Sequence, residues 1–482
     1  MSENALHVSV DTLIAVAPML GHELADHRAF RERQDRDLVR ALQARTSVRL
    51  RDASQQSLFC IAPFDILITH NEQGKQFHML EINGTGIGGL CNMSTDAIQA
   101  VLDDLSQTAE HLSPPGAVVL VASSGMEDDQ APRKNRALHE KILYVDALER
   151  GFELDERRAH IATMTWLAQT GSALPEDGPV IVLGYIKEFL EHLQMDDGGR
   201  LFLCGRQVHA AVNDRFCLNI MQRFNRQVDL RSLQTLNRCF HAGGDKGITY
   251  SLWNDYLKAH PHSIVGNAVR FERVFERGAL IETIDRWVSQ GRKTVIKPQG
   301  TGLGDGIVFF LDREDRGEIA KKVEASIRLT QDRYGLPGGA FPYTVCDFVD
   351  TATIQAKGHP LFGHKFELRI AVYRDGMRLK AFPTVVKIAS EKYDPLRPSR
   401  LSLINNVTAS TQAKKCAGTE FMLPLANRET WAQIGVDMDE MLEVCSAVTG
   451  FTRYLLDRVQ DRPELLGLPA APGAAHQADP RC

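Results

Sequence analysis

The chain reads as a mixed α/β (α+β) protein of several domains, and three stretches predict it. Residues 64–84, FDILITHNEQGKQFHMLEING, hold two β-rich runs around a turn signal. Across residues 113–235, apolar strand-like runs alternate with helical runs, as in a parallel α/β layer. Late in the chain, TVIK and IVFF flank a glycine-rich loop at 300–306, which adds another strand pair. A length of 482 residues corresponds to about three domains. The boundaries fall at 1–112, 113–235, 236–340 and 341–465, with a tail at 466–482.

Residues 1–58 read as helical, with charged runs such as HRAFRERQDRDLVRALQAR whose arginines form a solvated face. The hairpin comes next. A loop Glu72-Gln73-Gly74, with glycine in the left-handed position, fits a known hairpin class. That register pairs Asn71 with Lys75 and sets Asp65 opposite Glu81. Asn83 shares the Glu81 face, because side chains alternate along a strand. Opposed carboxylates repel, so a cation between them makes physical sense. Two acids and an amide oxygen are a hard oxygen set suited to Mg²⁺. Asp65, Glu81 and Asn83 are therefore the candidate metal ligands, the alternative being a solvated hairpin end.

Gly84, Gly86 and Gly89 then spell GxGxxG before the helix-like STDAIQAVLDDL, with Asp103 and Asp104 further on. That spacing admits a dinucleotide-binding oxidoreductase. A buried parallel strand would avoid the preceding Glu81 and Asn83, so this stands as an alternative. In the 113–235 layer, SPPGAVVLVASSG and GPVIVLGYI read as strands, KNRALHEKILYVDALERGF as a helix, and GRLFLCGRQVHAAVNDRF (199–216) as a hairpin.

Asp245-Lys246 opens a helix-like run, DKGITYSLWNDYLKAH. Lys297 precedes the loop, where Gly300, Thr301, Gly302 and Gly304 are candidate nucleotide contacts. Glycines there let backbone N–H groups approach phosphate oxygens, and such loops can close as lids. The lysine supplies a point charge. The loop is not a P-loop, since GK[ST] is missing. YTVCDFVD, KFELRIAVYRDG, IASEKY and LINNVTAS follow, and DMDEMLEVCSAVTGFTRYLLDRV closes the fold as a helix. The Pro/Ala-rich tail predicts disorder.

In this order, the "DK" helix start, a lysine before a glycine loop, and the strand ending Asp347-Phe348-Val349 resemble the carboxylate–amine ligases of the ATP-grasp superfamily. The resemblance implies that Lys246 and Lys297 contact ATP phosphates. It implies that the backbone of Asp347 to Val349 holds adenine, with Asp350 a ribose contact. GHKFELR, IASEKY and LINN resemble tubulin–tyrosine-ligase-type enzymes, which carries a phosphate-contacting role onto Arg369 and a nucleotide or acyl-phosphate role onto Lys387 and Asn405 (Asn406 competing for the last). In those enzymes the metal pair comes last, whereas here LEINGTGIGGL precedes IKPQGTGLGDG. That order is similar to eukaryotic-type glutathione synthetase across residues 60–410. It implies a circularly permuted ATP-grasp fold with an inserted parallel α/β substrate domain at 113–235. One departure is that Gly300 and Thr301 stand where that enzyme has a metal-binding acid after Lys-Pro-Gln, a place Asp65 would fill.

The implied activity is an ADP-forming ligation of a carboxylate (an amino acid, peptide or acyl group) to an amine through an acyl phosphate, using ATP and Mg²⁺, two ions being usual for such a site. A ligase loading a carrier-protein thiol and a nucleotide-binding regulator are the other readings. Small-molecule substrates are the expected partners, and a carrier protein or a homodimer remains open. Lys+Arg 56 against Asp+Glu 61 gives no basic field for nucleic acid or membrane surfaces. MSENALHVSVDTL lacks a basic n-region and no apolar run spans a bilayer, so a cytoplasmic enzyme is expected. Nine scattered cysteines without CxxC predict reduced thiols. His260 and His262 flank Pro261 without further ligands nearby, and read as a loop after a helix.

Overall fold

The computed structural model describes residues 29–72, 74–84, 90–112, 114–123, 136–212, 220, 223–224, 226, 228–229, 231–301, 304–334, 336, 338–404, 421–462 and 465. Among them the strands form four sheets. The central sheet is antiparallel and runs β1 (Val48–Arg49), β17 (Arg378–Lys392), β16 (His364–Asp375), β2 (Ile61–Asn71), β3 (Gly74–Ile82), with β18 (Met422–Pro424) against β17. The 113–235 layer contains a parallel sheet in the order β11 (Gln234–Leu236), β10 (Ala210–Val212), β4 (Val118–Ser123), β6 (Val180–Tyr185), β5 (His160–Thr163). Its central strands are fully buried apolar runs, as a sheet covered on both faces requires.

Two smaller sheets complete the set. One is β7 (Gln194–Met195), β8 (Leu201–Leu203) and β9 (Arg206–Gln207). The other runs β12 (Phe271–Val274), β15 (Tyr343–Asp347), β13 (Thr294–Pro298), β14 (Val308–Phe310) and is antiparallel. The helices are α1 (Arg36–Thr46), α2 (Thr95–Glu110), α3 (Arg136–Leu154), α4 (Met164–Thr170), α5 (Ile186–His192), α6 (Phe240–Gly243), α7 (Lys246–Ala259), α8 (Arg277–Ser289), α9 (Arg316–Tyr334), α10 (Arg400–Leu403), α11 (Arg428–Ile434) and α12 (Met438–Asp461).

Some sequence expectations need correction. The 199–216 hairpin is confined to β8 and β9, and 210–212 joins the parallel sheet between β11 and β4. Residues 29–58 are helical only in part, since β1 interrupts them; residues 1–28 and the 466–482 tail lie outside the described set. Among the described residues no helix is long and apolar enough to cross a membrane. Cys60, Cys239, Cys346 and Cys445 are buried free thiols, while Cys204 is exposed.

The central sheet has two unlike faces. Phe64, Ile66 and Ile68 of β2 and Phe366, Leu368, Ile370 and Val372 of β16 enter the main core, closed by α12 and α1. On the other face, Ile61, Ala371 and Tyr373 enter a second core together with α2, and the same face further along carries Asp65, Glu367 and Arg369. Two β-bulges add to this polar stretch. On β3, Phe77 and Met79 face the main core, and strict alternation would send Glu81 there as well. The pairs Ile66↔Met79 and Asp65↔Glu81 leave Leu80 as an extra residue, which turns Glu81 to the polar face. On β17, Leu379 and Ala381 face the main core. The pairs Ile370↔Pro383 and Arg369↔Val385 make Thr384 extra and turn Lys387 the same way.

The hairpin turn also differs from expectation. Asn71 pairs with Gly74 rather than Lys75, so the connection is a residue shorter than predicted. Gly74 has φ 107°, a backbone that favours glycine. The Leu80 bulge compensates for the slip, and Asp65 still lies opposite Glu81.

Candidate active site

Four strands gather the charges of the polar face. Lys387 lies opposite Glu367, and Arg369, Asp65 and Glu81 follow one another across β16, β2 and β3. Asp65 is fully buried. Arg369 donates from Nε to Oδ1 and from Nη2 to Oδ2, each at 2.8 Å. This bidentate pairing is the strong form of a charge-assisted bond. Lys387 Nζ donates to Oδ2 at 2.9 Å, and Asn83 Nδ2 donates to the same oxygen at 2.7 Å. Lys387 Nζ also touches the Glu367 carboxylate. Burial alone would raise the Asp65 pKa, but Arg369 and Lys387 outweigh it and hold Asp65 well below the usual carboxylate range. Burial pushes Glu367 up to about 7, against the pull of Lys387.

Both oxygens of Asp65, one of the expected metal ligands, accept from cations and from the Asn83 amide, which makes Asp65 the counter-ion of Arg369 and Lys387. The repulsion between Asp65 and Glu81 is relieved from the flanks. Arg369 and Lys387 lie on one side, and Lys246 Nζ lies 3.3 Å from Glu81 Oε2 on the other. Glu81 and Asn83 are partly exposed at the end of the row. A carboxylate and an amide oxygen fit a Mg²⁺ that takes the rest of its shell from water and phosphates. Among the described residues no group of three His, Cys, Asp or Glu forms an all-protein metal cage.

The lysines are placed by a capped helix and a buried strand. Asp245 caps α7, accepting from the Gly247 and Ile248 amides at 2.9 and 3.2 Å, and its other oxygen accepts from Arg273 Nη2 at 2.7 Å. A Cβ on Gly247 would stand 2.2 Å from Arg273 Cγ, so glycine is what lets Arg273 reach the cap. Lys246 is thereby held beside Glu81. Lys297, on β13, is buried and donates to the Tyr250 hydroxyl at 2.8 Å; that hydroxyl donates to the Leu80 carbonyl at 2.7 Å. Burial works against the Lys297 charge, but Tyr250, Cys346 and Glu81 outweigh it and hold its pKa above the ordinary lysine value.

In the glycine loop, Gly300, Gly304 and Gly306 have φ of 66°, 76° and 70°. Thr301 Oγ1 donates to the Asp305 carbonyl at 3.1 Å. The Asp305 carboxylate is buried and accepts from Arg333 and Tyr334 of α9, each at 2.8 Å. Arg400 of α10 donates to the Gly304 carbonyl at 2.7 Å and to the Ile307 carbonyl at 3.3 Å. Gly302 and Asn405 lie outside the described residues.

The expected adenine side is built around ion pairs. The Asp347 carboxylate accepts from Arg292, which stacks on Trp287 with its guanidinium carbon 3.5 Å from the ring centroid. The Asp347 and Phe348 amides donate to the Arg270 and Lys293 carbonyls, and Val349 follows outside any strand. Asp350 accepts from Lys365 Nζ at 2.6 Å, and that ammonium also lies 3.9 Å from the Tyr393 ring centroid. Burial lowers the Lys365 pKa, with Asp350 opposing.

Sequence reading missed Tyr250, Glu367 and Arg400. Tyr250 is one helical turn from Lys246, and Glu367 lies two residues before Arg369 on the same strand face, so helix and strand periodicity could have found both. Nothing local marks Arg400. The GxGxxG reading loses its support, because β3 is antiparallel to β2 rather than the parallel strand a dinucleotide fold needs. Gly86 and Gly89 lie outside the described residues.

No protein-family model matches the chain, and no curated protein matches it. Solved structures give distant likenesses. A protein named as a candidate gamma-glutamylcysteine synthetase from Methylobacillus flagellatus aligns over 96% of this chain and 99% of its own, at 11% identity and TM-score 0.38. A glutathione synthetase-like effector from Globodera pallida aligns over 80% and 84%, at 12% identity and TM-score 0.27. D-alanyl-alanine synthetase A from Vibrio cholerae aligns over 70% and 99%, at 11% identity and TM-score 0.29. At these scores the functional reading rests on the site itself.

Proposed function

We propose that the chain is an ATP-dependent, ADP-forming ligase that joins a carboxylate to an amine. The observation that supports this reading is the convergence of Glu81, Asn83, Lys246, Lys297 and Arg369 around one end of a sheet face, from segments far apart in sequence. A substrate carboxylate oxygen attacks the γ-phosphorus, the bond to ADP breaks, and an acyl phosphate forms. The amine nitrogen then attacks the acyl carbon, phosphate leaves with the bonding pair, and the amine loses a proton. Negative charge spreads over the transferring oxygens, so fixed cations are the groups this chemistry needs. Lys246, Lys297 and Arg369 take that role. Asp65 keeps Arg369 and Lys387 aligned. Glu81 and Asn83 would hold Mg²⁺, which when bound neutralises phosphate charge. Acyl phosphates hydrolyse readily, which gives the glycine loop a reason to close over the site.

The test is to incubate the purified protein with ATP, Mg²⁺ and pooled amino acids, and to separate ADP, AMP and phosphate by chromatography. ADP and phosphate that depend on a particular acid–amine pair are the expected result. Glu81→Gln should lower that turnover by about a hundredfold or more. AMP with pyrophosphate would overturn the reading in favour of adenylation.

A further inference from the structure

Lys246 reads as a phosphate contact and Glu81 as a metal ligand, yet the structure sets the two against each other. Lys246 Nζ lies 3.3 Å from Glu81 Oε2, and the two side chains are only 10% and 22% exposed. The pair is fixed from both sides. Lys246 is the first residue of α7, whose start is capped by Asp245, and Arg273 Nη2 pins that cap at 2.7 Å. One turn on, the buried Tyr250 donates to the Leu80 carbonyl at 2.7 Å, which ties α7 to the residue just before Glu81. The two backbones are thus held in register, and the four-carbon lysine stem is the part left to move.

A lysine at the first helical position faces the positive end of the helix dipole, where cations are disfavoured. An anion beside it offsets that cost, and Glu81 is such an anion. Mg²⁺ would take the same carboxylate, at about 2.0–2.1 Å. Ammonium and metal on one carboxylate would repel each other strongly in a site where little water screens them. A polyphosphate resolves the conflict. Its oxygens can accept from the ammonium and ligate the metal together, and it carries more charge than the carboxylate that the ammonium would leave. The neighbouring cations have anchors of their own: Lys297 Nζ donates to the Tyr250 hydroxyl at 2.8 Å, and Arg369 and Lys387 both contact Asp65.

We propose that Lys246 is a built-in counter-cation: without nucleotide it occupies the Glu81 carboxylate that a divalent cation needs, and a polyphosphate frees that carboxylate by drawing the ammonium away. The site then takes its metal as a metal–polyphosphate complex in preference to the free ion. The inference rests on the metal reading of Glu81 given above, and deepens it by naming the species that enters.

The test is direct Mn²⁺ binding, followed by electron paramagnetic resonance, with wild type, Lys246→Met, Lys246→Arg, Glu81→Gln and the Lys246→Met/Glu81→Gln double variant. Melting curves establish that each variant folds. Without nucleotide, Lys246→Met should bind Mn²⁺ about tenfold tighter than wild type, within the usual range for coupling between two bound groups. Lys246→Arg, which keeps the charge, should bind like wild type, and the gain should vanish in the double variant. Equilibrium dialysis in EDTA should show a non-hydrolysable ATP analogue binding Lys246→Met about tenfold more weakly than wild type, the worth of a hydrogen bond from a charged group. Unchanged or weaker Mn²⁺ binding in Lys246→Met would overturn the inference. So would a gain that persists in the double variant, or an analogue affinity that does not fall. With the analogue present, Glu81→Gln should weaken Mn²⁺ binding. If it does not, the metal reading itself falls. If it does while Lys246→Met leaves free Mn²⁺ binding unchanged, that reading stands and only the Lys246 role fails.

Discussion

The charged row on the central sheet and the glycine loop beside it hold their functional groups in opposite ways. In the row, Lys387, Glu367, Arg369, Asp65 and Glu81 are fixed by strand register, and most are buried within contact of an opposite charge. In the loop, the described glycines adopt positive φ, and the peptide is held by side chains from distant helices: Arg333 and Tyr334 of α9, and the exposed Arg400 of α10. Under the proposed ligase activity, the difference follows from what each would do. Charges that stabilise a transition state work best when they cost no reorganisation. A loop that admits and releases a nucleotide needs tethers of modest strength, of the kind that local opening can break.

The largest effect should come from breaking the row. Asp65→Ala would leave the buried Arg369 and the partly buried Lys387 side chains without the carboxylate that both contact. Removing one partner of a buried ion pair typically costs about 3–5 kcal/mol, and urea unfolding of Asp65→Ala should show a loss of that size. A loss below about 1 kcal/mol would place this carboxylate among surface-like ion pairs, and the contrast with the loop would disappear.

A smaller effect, with a defined sign, concerns Glu367. Its pKa is raised to about 7 in the folded chain from an ordinary 4.5. Across that window the folded state binds more protons than the unfolded one, so the contribution of Glu367 to stability falls as pH rises. Asp65 has the opposite sign: its pKa is lowered, so its contribution is present above the ordinary carboxylate range and lost as pH falls below it. Glu367→Gln removes the first dependence. Relative to wild type, it should gain about 1–3 kcal/mol of stability between about pH 5 and about pH 7. Urea unfolding across that range checks this, and a flat difference would mean that Glu367 is ionised throughout and belongs fully to the row.

Much of this arrangement was legible in the sequence, and the misses have physical causes. The hairpin, the α7 cap and the strand before the glycine loop each announce themselves through local chemistry: β-rich runs around a turn, Asp before Lys at a helix start, and glycines after a β-branched strand. The opposition of Asp65 and Glu81 was also readable, but for an incomplete reason. The turn is a residue shorter than the motif suggests, and the Leu80 bulge restores the pairing. Bulges leave no reliable mark in a sequence that alternates on either side of them. The counter-ions of Asp65, Arg369 and Lys387, were not readable beside it because they arrive from 304 and 322 residues away. Two acids seen alone suggest a metal; seen with their neighbours across the sheet, they also stand in one row with Arg369 and Lys387.

The smallest expected effect tests the loop side. Arg400 is exposed, and its guanidinium spans the Gly304 and Ile307 carbonyls. Arg400→Ala should change global stability by no more than about 0.5 kcal/mol, as surface substitutions usually do. The KM for ATP should nonetheless rise up to about tenfold, the worth of a hydrogen bond from a charged group. Hydrogen exchange at residues 304–307 should accelerate in parallel. Arg400→Lys should restore little of this, because a single ammonium lacks the planar fork that engages two carbonyls together. If KM and exchange are both unchanged, the Asp305 contacts to Arg333 and Tyr334 hold the loop by themselves. The loop would then be fixed by a buried carboxylate, as the row is, and the two regions would differ in backbone conformation rather than in the strength of what holds them.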